Sequence, residues 1–302
     1  MSKKILIIGA NSYIARNLIY TISTEKPDLQ VFACDHQPEH FDRFSGYTVV
    51  DILSVDSLYK LDFDVDFIFV FSGKTGTSAG FSNYDEFIDI NEKGLLNILS
   101  VYKEKKSKAK IIFPSTRLVY KGKPGLLNED SEKEFKTVYA INKFSCEQYL
   151  KMYSGVFDID YCIFRICVPY GSLIPGASSY GTADFMINAA KKGDPVKLFG
   201  DGSFRRTVIY IRDLCDILIN AALSSLCIND IFNIGGENYS LAEMATLISE
   251  KYNIPLVYTD WPDDALKIES GDTVFDSGKL ESIIDCKCKF SFKDWVLSDQ
   301  TN

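Results

Sequence analysis

The stretch Ile5–Leu18, "ILIIGANSYIARNL", decides the fold. A short apolar run, Ile5–Ile8, ends on Gly9 and passes almost directly into a segment with helical periodicity. Nucleotide-binding α/β sheets open in this way: a glycine lets the backbone turn tightly, and the helix N-terminus offers free N–H groups to a pyrophosphate. Here only Gly9 is a glycine, while Ser12 and Ala15 fill the two later slots. Alanine is mild at the last slot, which serves helix–strand packing; Ser12 puts a hydroxyl where glycine gives clearance and moves an anion slightly outward. Alone, the loop suits a plain strand–helix turn as well as a ligand loop. The residues beyond the later strands decide between the two.

Further apolar runs occur at Gln30–Cys34, Tyr47–Val50, Phe67–Phe71, Lys110–Phe113 and Asp160–Arg165, with helix-period segments at Ile14–Ile22, Phe87–Tyr102 and Tyr139–Tyr153. Runs of Val, Ile and Phe without alternation belong to a parallel sheet covered on both faces, and their alternation with helices predicts an α/β, doubly wound (Rossmann) sheet. After Val168 a Gly-, Pro- and Ser-rich stretch runs through Tyr180, followed by an amphipathic segment at Ala183–Lys192, a turn cluster at Gly200–Ser203 and a helix near Asp213–Leu223. From about Val168, therefore, the regular alternation of strands and helices gives way to a different pattern.

Composition narrows the function. With 46% apolar and 25% charged residues the chain reads as an ordinary soluble globular protein. Its net charge of −8 argues against a nucleic-acid partner, while a few local arginines still suffice for a small anionic substrate. Eight cysteines include no CxxC pair, several lie in apolar runs, and Cys286–Cys288 has no histidine nearby. Reduced thiols in a cytoplasmic protein, with no metal site, are the expectation. Neither a signal peptide nor a membrane span is expected, because runs such as Phe67–Phe71 are far too short.

Ligands of an open parallel sheet bind beyond the carboxyl ends of its strands. The first strand leads into Gly9, Asn11, Ser12, Tyr13 and Ile14. The second ends at Asp35, where a carboxylate accepts bonds from ribose hydroxyls and repels a 2′-phosphate, which favours NAD over NADP. Asp51 and Ile52 come after the third strand, at an adenine edge, and Phe71, Ser72, Gly73 and Lys74 form a small-residue loop after the fourth. Four such places at four strand ends make the opening turn a cofactor loop.

Catalytic residues are expected in "VYAINKF", where Tyr139 and Lys143 stand four apart. On a helix they share a face, so the ammonium is expected to lower the phenol's pKa toward working pH and allow proton exchange with a substrate oxygen. Upstream, "FPSTRLVY" places Ser115 and Thr116 after a buried strand, where a hydroxyl would donate to that same oxygen.

Together these residues resemble the extended short-chain dehydrogenase/reductases, in particular the NAD-dependent epimerase/dehydratase group. The resemblance runs nearly end to end, through Asn91 in "NEKG", Arg165 in "FRICVPYG", "FGDGSFRRTVIYIRDL" ending at Leu214, "FNIGG" at Phe232–Gly236, and "DSGK" at Asp276–Lys279. It implies that Tyr139 is the acid/base, Lys143 holds the nicotinamide ribose and tunes the tyrosine, and Thr116 polarises the substrate with Ser115 beside it near the cofactor. Asn91 would help line the dinucleotide, and Arg206 would grip the diphosphate of a nucleotide-activated sugar. A homodimer through helices Phe87–Tyr102 and Tyr139–Tyr153 is also implied, as is a division into a dinucleotide-binding domain over 1–167 plus about 206–235 and a smaller sugar-nucleotide-binding domain over 168–205 plus about 236–302.

Departures from the family pattern narrow the reaction. Dehydratases carry an Asp-Glu pair after the catalytic Thr, and here Arg117 and Leu118 stand there. Enzymes resembling GDP-fucose synthase use a Cys and a His, whereas His36 and His40 both lie after the second strand. Val168 replaces an asparagine that 4-epimerases use on the diphosphate, and Lys267 aligns loosely with a C-terminal arginine of the same site. What remains is hydride chemistry at C4: a 4-ketoreductase is the favoured reading, a C4 epimerase its alternative. An NAD-sensing regulator is the non-enzymatic reading, disfavoured by the complete Thr116, Tyr139 and Lys143 set.

Overall fold

The computed structural model describes residues 2–177, 179 and 181–298, so Tyr180, at the end of the Gly-, Pro- and Ser-rich stretch, lies outside it. Fourteen strands are present among the described residues. The first seven are β1 (Lys3–Ile8), β2 (Leu29–Asp35), β3 (Tyr47–Val49), β4 (Phe67–Val70), β5 (Lys110–Thr116), β6 (Leu126–Leu127) and β7 (Tyr161–Ile166). Then come β8 (Val168–Tyr170), β9 (Val196–Phe199), β10 (Arg205–Tyr210), β11 (Asp230–Ile234), β12 (Glu237–Ser240), β13 (Leu256–Thr259) and β14 (Val274–Phe275).

Seven strands form one sheet in the order β11-β7-β5-β4-β1-β2-β3, every neighbouring pair parallel. This is the doubly wound Rossmann arrangement, and its strand order reverses between β1 and β4. The unbroken apolar runs result from burial on both faces. Ile5 and Ile7 join one core layer, with Leu18 and Ile22 of the helix Tyr13–Glu25 and Leu214 and Leu218 of the helix Ile211–Leu223. Leu6 and Ile8 join the other, with Ile98 of the helix Gly94–Glu104 and Leu150 of the helix Val138–Phe157. Burying one such side chain stabilises the fold by about 1.5–3 kcal/mol.

The remaining strands make a three-stranded sheet, β12-β10-β8, and two pairs, β13-β9 and β14-β6. β10 pairs with β8 and β12, and the helix Ile211–Leu223 that follows it packs in the same core layer as Ile5 and Ile7. The hydrophobic face of the helix Ile211–Leu223 fits the large core, whereas the β10 ladder completes the small sheet. The periodic segment expected as one helix at Phe87–Tyr102 is interrupted by a π-helical turn, Asp89–Lys93, which carries Asn91. Such turns commonly mark functional positions.

Candidate active site

The cofactor side is built at the switch point. Gly9 has φ +87°, and a Cβ there would lie 2.2 Å from the Ser72 nitrogen, so only glycine lets the ends of β1 and β4 come this close. Its N–H and that of Ala10 donate to the Cys34 carbonyl (2.9 and 3.0 Å). Ser12 is the N-cap of the next helix, yet its buried Oγ makes no hydrogen bond. The first helical turn has N–H groups without intrahelical acceptors and contains no acidic residue. An orphaned hydroxyl beside those donors fits the pyrophosphate of a dinucleotide.

Other loop side chains serve the protein itself. The Tyr13 phenol donates to the Gly171 carbonyl (2.5 Å), so Tyr13 pins the helix to the segment after β8; Ile14 packs against the core. Asp35 accepts from the backbone N–H of Asn11 (3.0 Å) and of His36 (2.8 Å), and the Asn11 amide braces the next loop through the Glu39 carbonyl and the Phe41 N–H. Asp51 is exposed and accepts from the Leu53 N–H, while the Ile52 carbonyl is held by Asn97. Beyond β4, the Phe71 and Ser72 N–H groups donate to the Ile8 carbonyl. Asn91 grasps the Lys74 backbone from both ends, accepting from its N–H (2.7 Å) and donating to its carbonyl (3.2 Å). It was expected to line the dinucleotide; here its amide is spent holding the Gly73–Lys74 loop in place. Lys74 itself pairs with Glu86 at the surface.

Thr116 closes β5 and Tyr139 opens the helix Val138–Phe157, whose N-cap Thr137 accepts from the Ala140 N–H. Burial pushes the Tyr139 phenol up to about 12, against the pull of a hydrogen bond with Thr116. Lys143 lies one turn on, but its ammonium donates to the Pro114 carbonyl (2.8 Å) and sits over the Phe113 ring. The lowering of the tyrosine expected from Lys143 is not found, because a buried carbonyl holds the lysine. Burial brings the lysine down to about 8, with Cys146 and Glu147 acting in the opposite direction. A Cβ on Gly73 would stand 3.9 Å from its Nζ, so the ammonium faces the cofactor loop.

Ser115 also departs from expectation. Its hydroxyl is committed to the buried Glu147 (2.5 Å), which also receives a two-pronged bond from Arg165 (3.0 and 2.7 Å). Arg165 continues to the Tyr120 hydroxyl and the Glu129 carbonyl. This network locks the end of β5 against β7, which fixes where Thr116 points.

On the substrate side, Val168 is buried in β8. Arg206, expected to be free for a diphosphate, is 2% exposed; it pairs with Glu269 and donates to the Gly271 carbonyl, leaving only Nε without a partner. Lys267 is exposed and pairs with Asp264, so it does not join this cluster; Glu269 occupies that place. Arg117 comes directly after Thr116 in a 3₁₀ turn, and its Nη1 donates to Ser270 (2.9 Å) and Thr273 (3.2 Å).

Sequence reasoning missed Glu147, Glu269, Ser270 and Thr273. A signal for Glu147 was present, since it stands four residues after Lys143 on the same helix face. Nothing local marked the other three.

The chain matches the description "NAD dependent epimerase/dehydratase family" over residues 5–235. It belongs to that family. As a member it is an NAD-dependent enzyme of the sugar-nucleotide-modifying kind. It is 26% identical to the CDP-paratose 2-epimerase of Salmonella typhi, covering 97% of both chains. It is 25% identical to a putative UDP-glucose 4-epimerase of Methanocaldococcus jannaschii, covering 82% of each. The structure superimposes on UDP-glucuronic acid 4-epimerase of Bacillus cereus, solved with UDP-glucuronic acid and NAD, with TM-score 0.86, 22% identity and 98% coverage of both chains. No helix among the described residues is long and apolar enough to cross a membrane.

Proposed function

We propose that this enzyme epimerises a nucleotide-activated sugar, oxidising one ring carbon, C4, to a ketone and reducing it again from the other face. The observation that carries this reading is the buried Thr116 beside the half-buried Tyr139, with Lys143 one turn away, in a chain with relatives named epimerases. Sequence alone leaned toward a 4-ketoreductase; the relatives' names favour the epimerase alternative.

In this reading NAD lies along Gly9, Asn11, Ser12, Tyr13 and Ile14, with its riboses toward Asp35 and Lys143, its adenine near Asp51 and Ile52, and the Phe71–Lys74 loop beside it. When bound, it supplies the acceptor and donor of a hydride. Tyr139 takes the proton from the sugar hydroxyl and returns it to the ketone oxygen, while Thr116 donates to that oxygen as its charge changes. Burial holds the phenol up near 12, so the proton exchange needs a cation beside Tyr139, and Lys143, one turn on, is the residue placed to supply it. The nucleotide sugar lies toward Arg117, Val168 and Arg206.

We also read the protein as a cytoplasmic homodimer. Eight unpaired cysteines support the compartment. Exposed Tyr84, Ile88, Ile141, Met152 and Val156 support contact through the two helical segments.

The test is incubation with NAD and UDP-, CDP-, GDP- and dTDP-sugars, monitored by NMR. An epimerase interconverts two C4 epimers from either side and keeps a deuterium placed on that carbon, with no net NADH change. Stoichiometric NADH consumption on a 4-keto sugar would establish the reductase instead.

A further inference from the structure

The helix that opens the cofactor site also reaches toward the substrate side. Tyr13, Arg16 and Asn17 stand on one face of the helix Tyr13–Glu25, three and four residues apart, and all three bond to the segment after β8. The Tyr13 phenol donates to the Gly171 carbonyl (2.5 Å) and Arg16 to the Gly176 carbonyl (3.4 Å). The side-chain oxygen of the buried Asn17 accepts from the Leu173 N–H (2.7 Å) and the Ser172 hydroxyl (3.4 Å). The same segment is held from its other side. Asp184, in the first turn of the helix Thr182–Lys191, accepts from the Gly171 N–H (3.4 Å) and the Ser179 N–H (2.7 Å). Burial raises its carboxyl to about 6, so at neutral pH it is ionised and accepts both bonds.

Gly171 is where the two holds meet, its carbonyl going to the cofactor helix and its N–H to the helix Thr182–Lys191. It has φ +77°, and a Cβ there would lie 2.5 Å from the Tyr210 ring and 3.2 Å from the Trp295 ring, so the junction has no slack. The helix Thr182–Lys191 in turn abuts Val168: a Cβ on its N-cap, Gly181, would lie 3.1 Å from the Val168 side chain. One helix thus begins where the pyrophosphate of NAD is proposed to lie, the other begins beside the proposed sugar-nucleotide site, and one packed glycine ties them together.

We propose that Tyr13, Asn17 and Asp184 are positioning residues that couple the two ligand sites through Gly171, so that NAD and the nucleotide sugar each tighten the binding of the other. A ligand that orders the first turn of the helix Tyr13–Glu25 also orders Gly171–Leu173. The second ligand then meets a helix already set in place and gives up less freedom on binding. Linkage makes the effect reciprocal, by the same factor in each direction. The substrate half of this coupling rests on the nucleotide-sugar reading; the cofactor half does not.

The experiment is calorimetric titration of the intact, NAD-free enzyme with UDP, CDP, GDP and dTDP, with and without saturating NAD. It compares wild type with Tyr13→Phe, which keeps the ring and removes the hydroxyl. Hydrogen exchange over residues 171–177 is followed beside it with NAD alone. Expected is nucleotide binding tightened about fivefold or more by NAD in wild type, and no tightening in Tyr13→Phe. NAD alone should slow exchange over 171–177 in wild type, and the variant should lose that slowing. A tyrosine that merely braces the fold would lower the stability of the variant and leave the tightening unchanged, which overturns the proposal. A wild type whose nucleotide affinity, or whose exchange over 171–177, is the same with and without NAD overturns it as well. If no nucleotide binds while NAD still slows exchange through Tyr13, the nucleotide-sugar reading fails and the cofactor half of the coupling stands.

Discussion

Replacing Lys143 by methionine separates what the lysine does for chemistry from what it does to stability. Its ammonium is buried, and its pKa falls from 10.5 to about 8, chiefly through burial. At about 1.4 kcal/mol per tenfold change in proton affinity, the charged form is about 3 kcal/mol less favourable in the folded than in the unfolded chain. Between pH 8 and 10.5 the unfolded chain holds this proton and the folded one does not, so wild-type stability rises with pH across that window and is lost as pH falls toward 8. Methionine has no such proton. It also leaves the Pro114 carbonyl without its donor, a pH-independent loss of about 1–3 kcal/mol. The signature is therefore a slope. The stability of Lys143→Met minus that of wild type should fall by about 3 kcal/mol from pH 8 to 10.5, whatever its starting value, because groups common to both proteins cancel. Urea unfolding of the NAD-free proteins across that range measures it. A difference flat with pH would mean that Lys143 is not held as a destabilised cation, and the account of its burial would fail. Turnover of the variant should be lost at every pH.

Tyr139→Phe should lower turnover by about 10²- to 10⁴-fold and leave NAD affinity, read by fluorescence titration, within about twofold; near-normal turnover refutes the role given to Tyr139. Asp35→Ala should raise NADP affinity relative to NAD in the same titration, and a wild type that already prefers NADP would overturn the reading of that carboxylate. Glu147→Gln strands the buried Arg165 guanidinium and should cost about 3–5 kcal/mol in urea unfolding; a loss below about 1 kcal/mol would show that the network does not hold β5 to β7. Met152→Glu combined with Val156→Glu should convert a dimer to a folded monomer in light scattering, and an unchanged mass would place the dimer contact elsewhere.

The fold was legible because its signals are local and redundant. Ile5–Ile8, Phe67–Val70 and Lys110–Phe113 carry unbroken apolar runs because each strand feeds both core layers, and that pattern survives in the sequence without partners being known. Gly9 was legible because one backbone approach, to Ser72, admits no other residue. The site was less so, for a physical reason. A side chain's identity says what it can bond, while its competitors arrive from distant segments. Lys143 is diverted by a carbonyl 29 residues upstream, Ser115 by Glu147, and Arg206 by Glu269, 63 positions away. Each residue has the chemistry that its motif implies, and each is also held by a partner from another segment, so the motif tells which side chains are available while the fold decides which contacts they make.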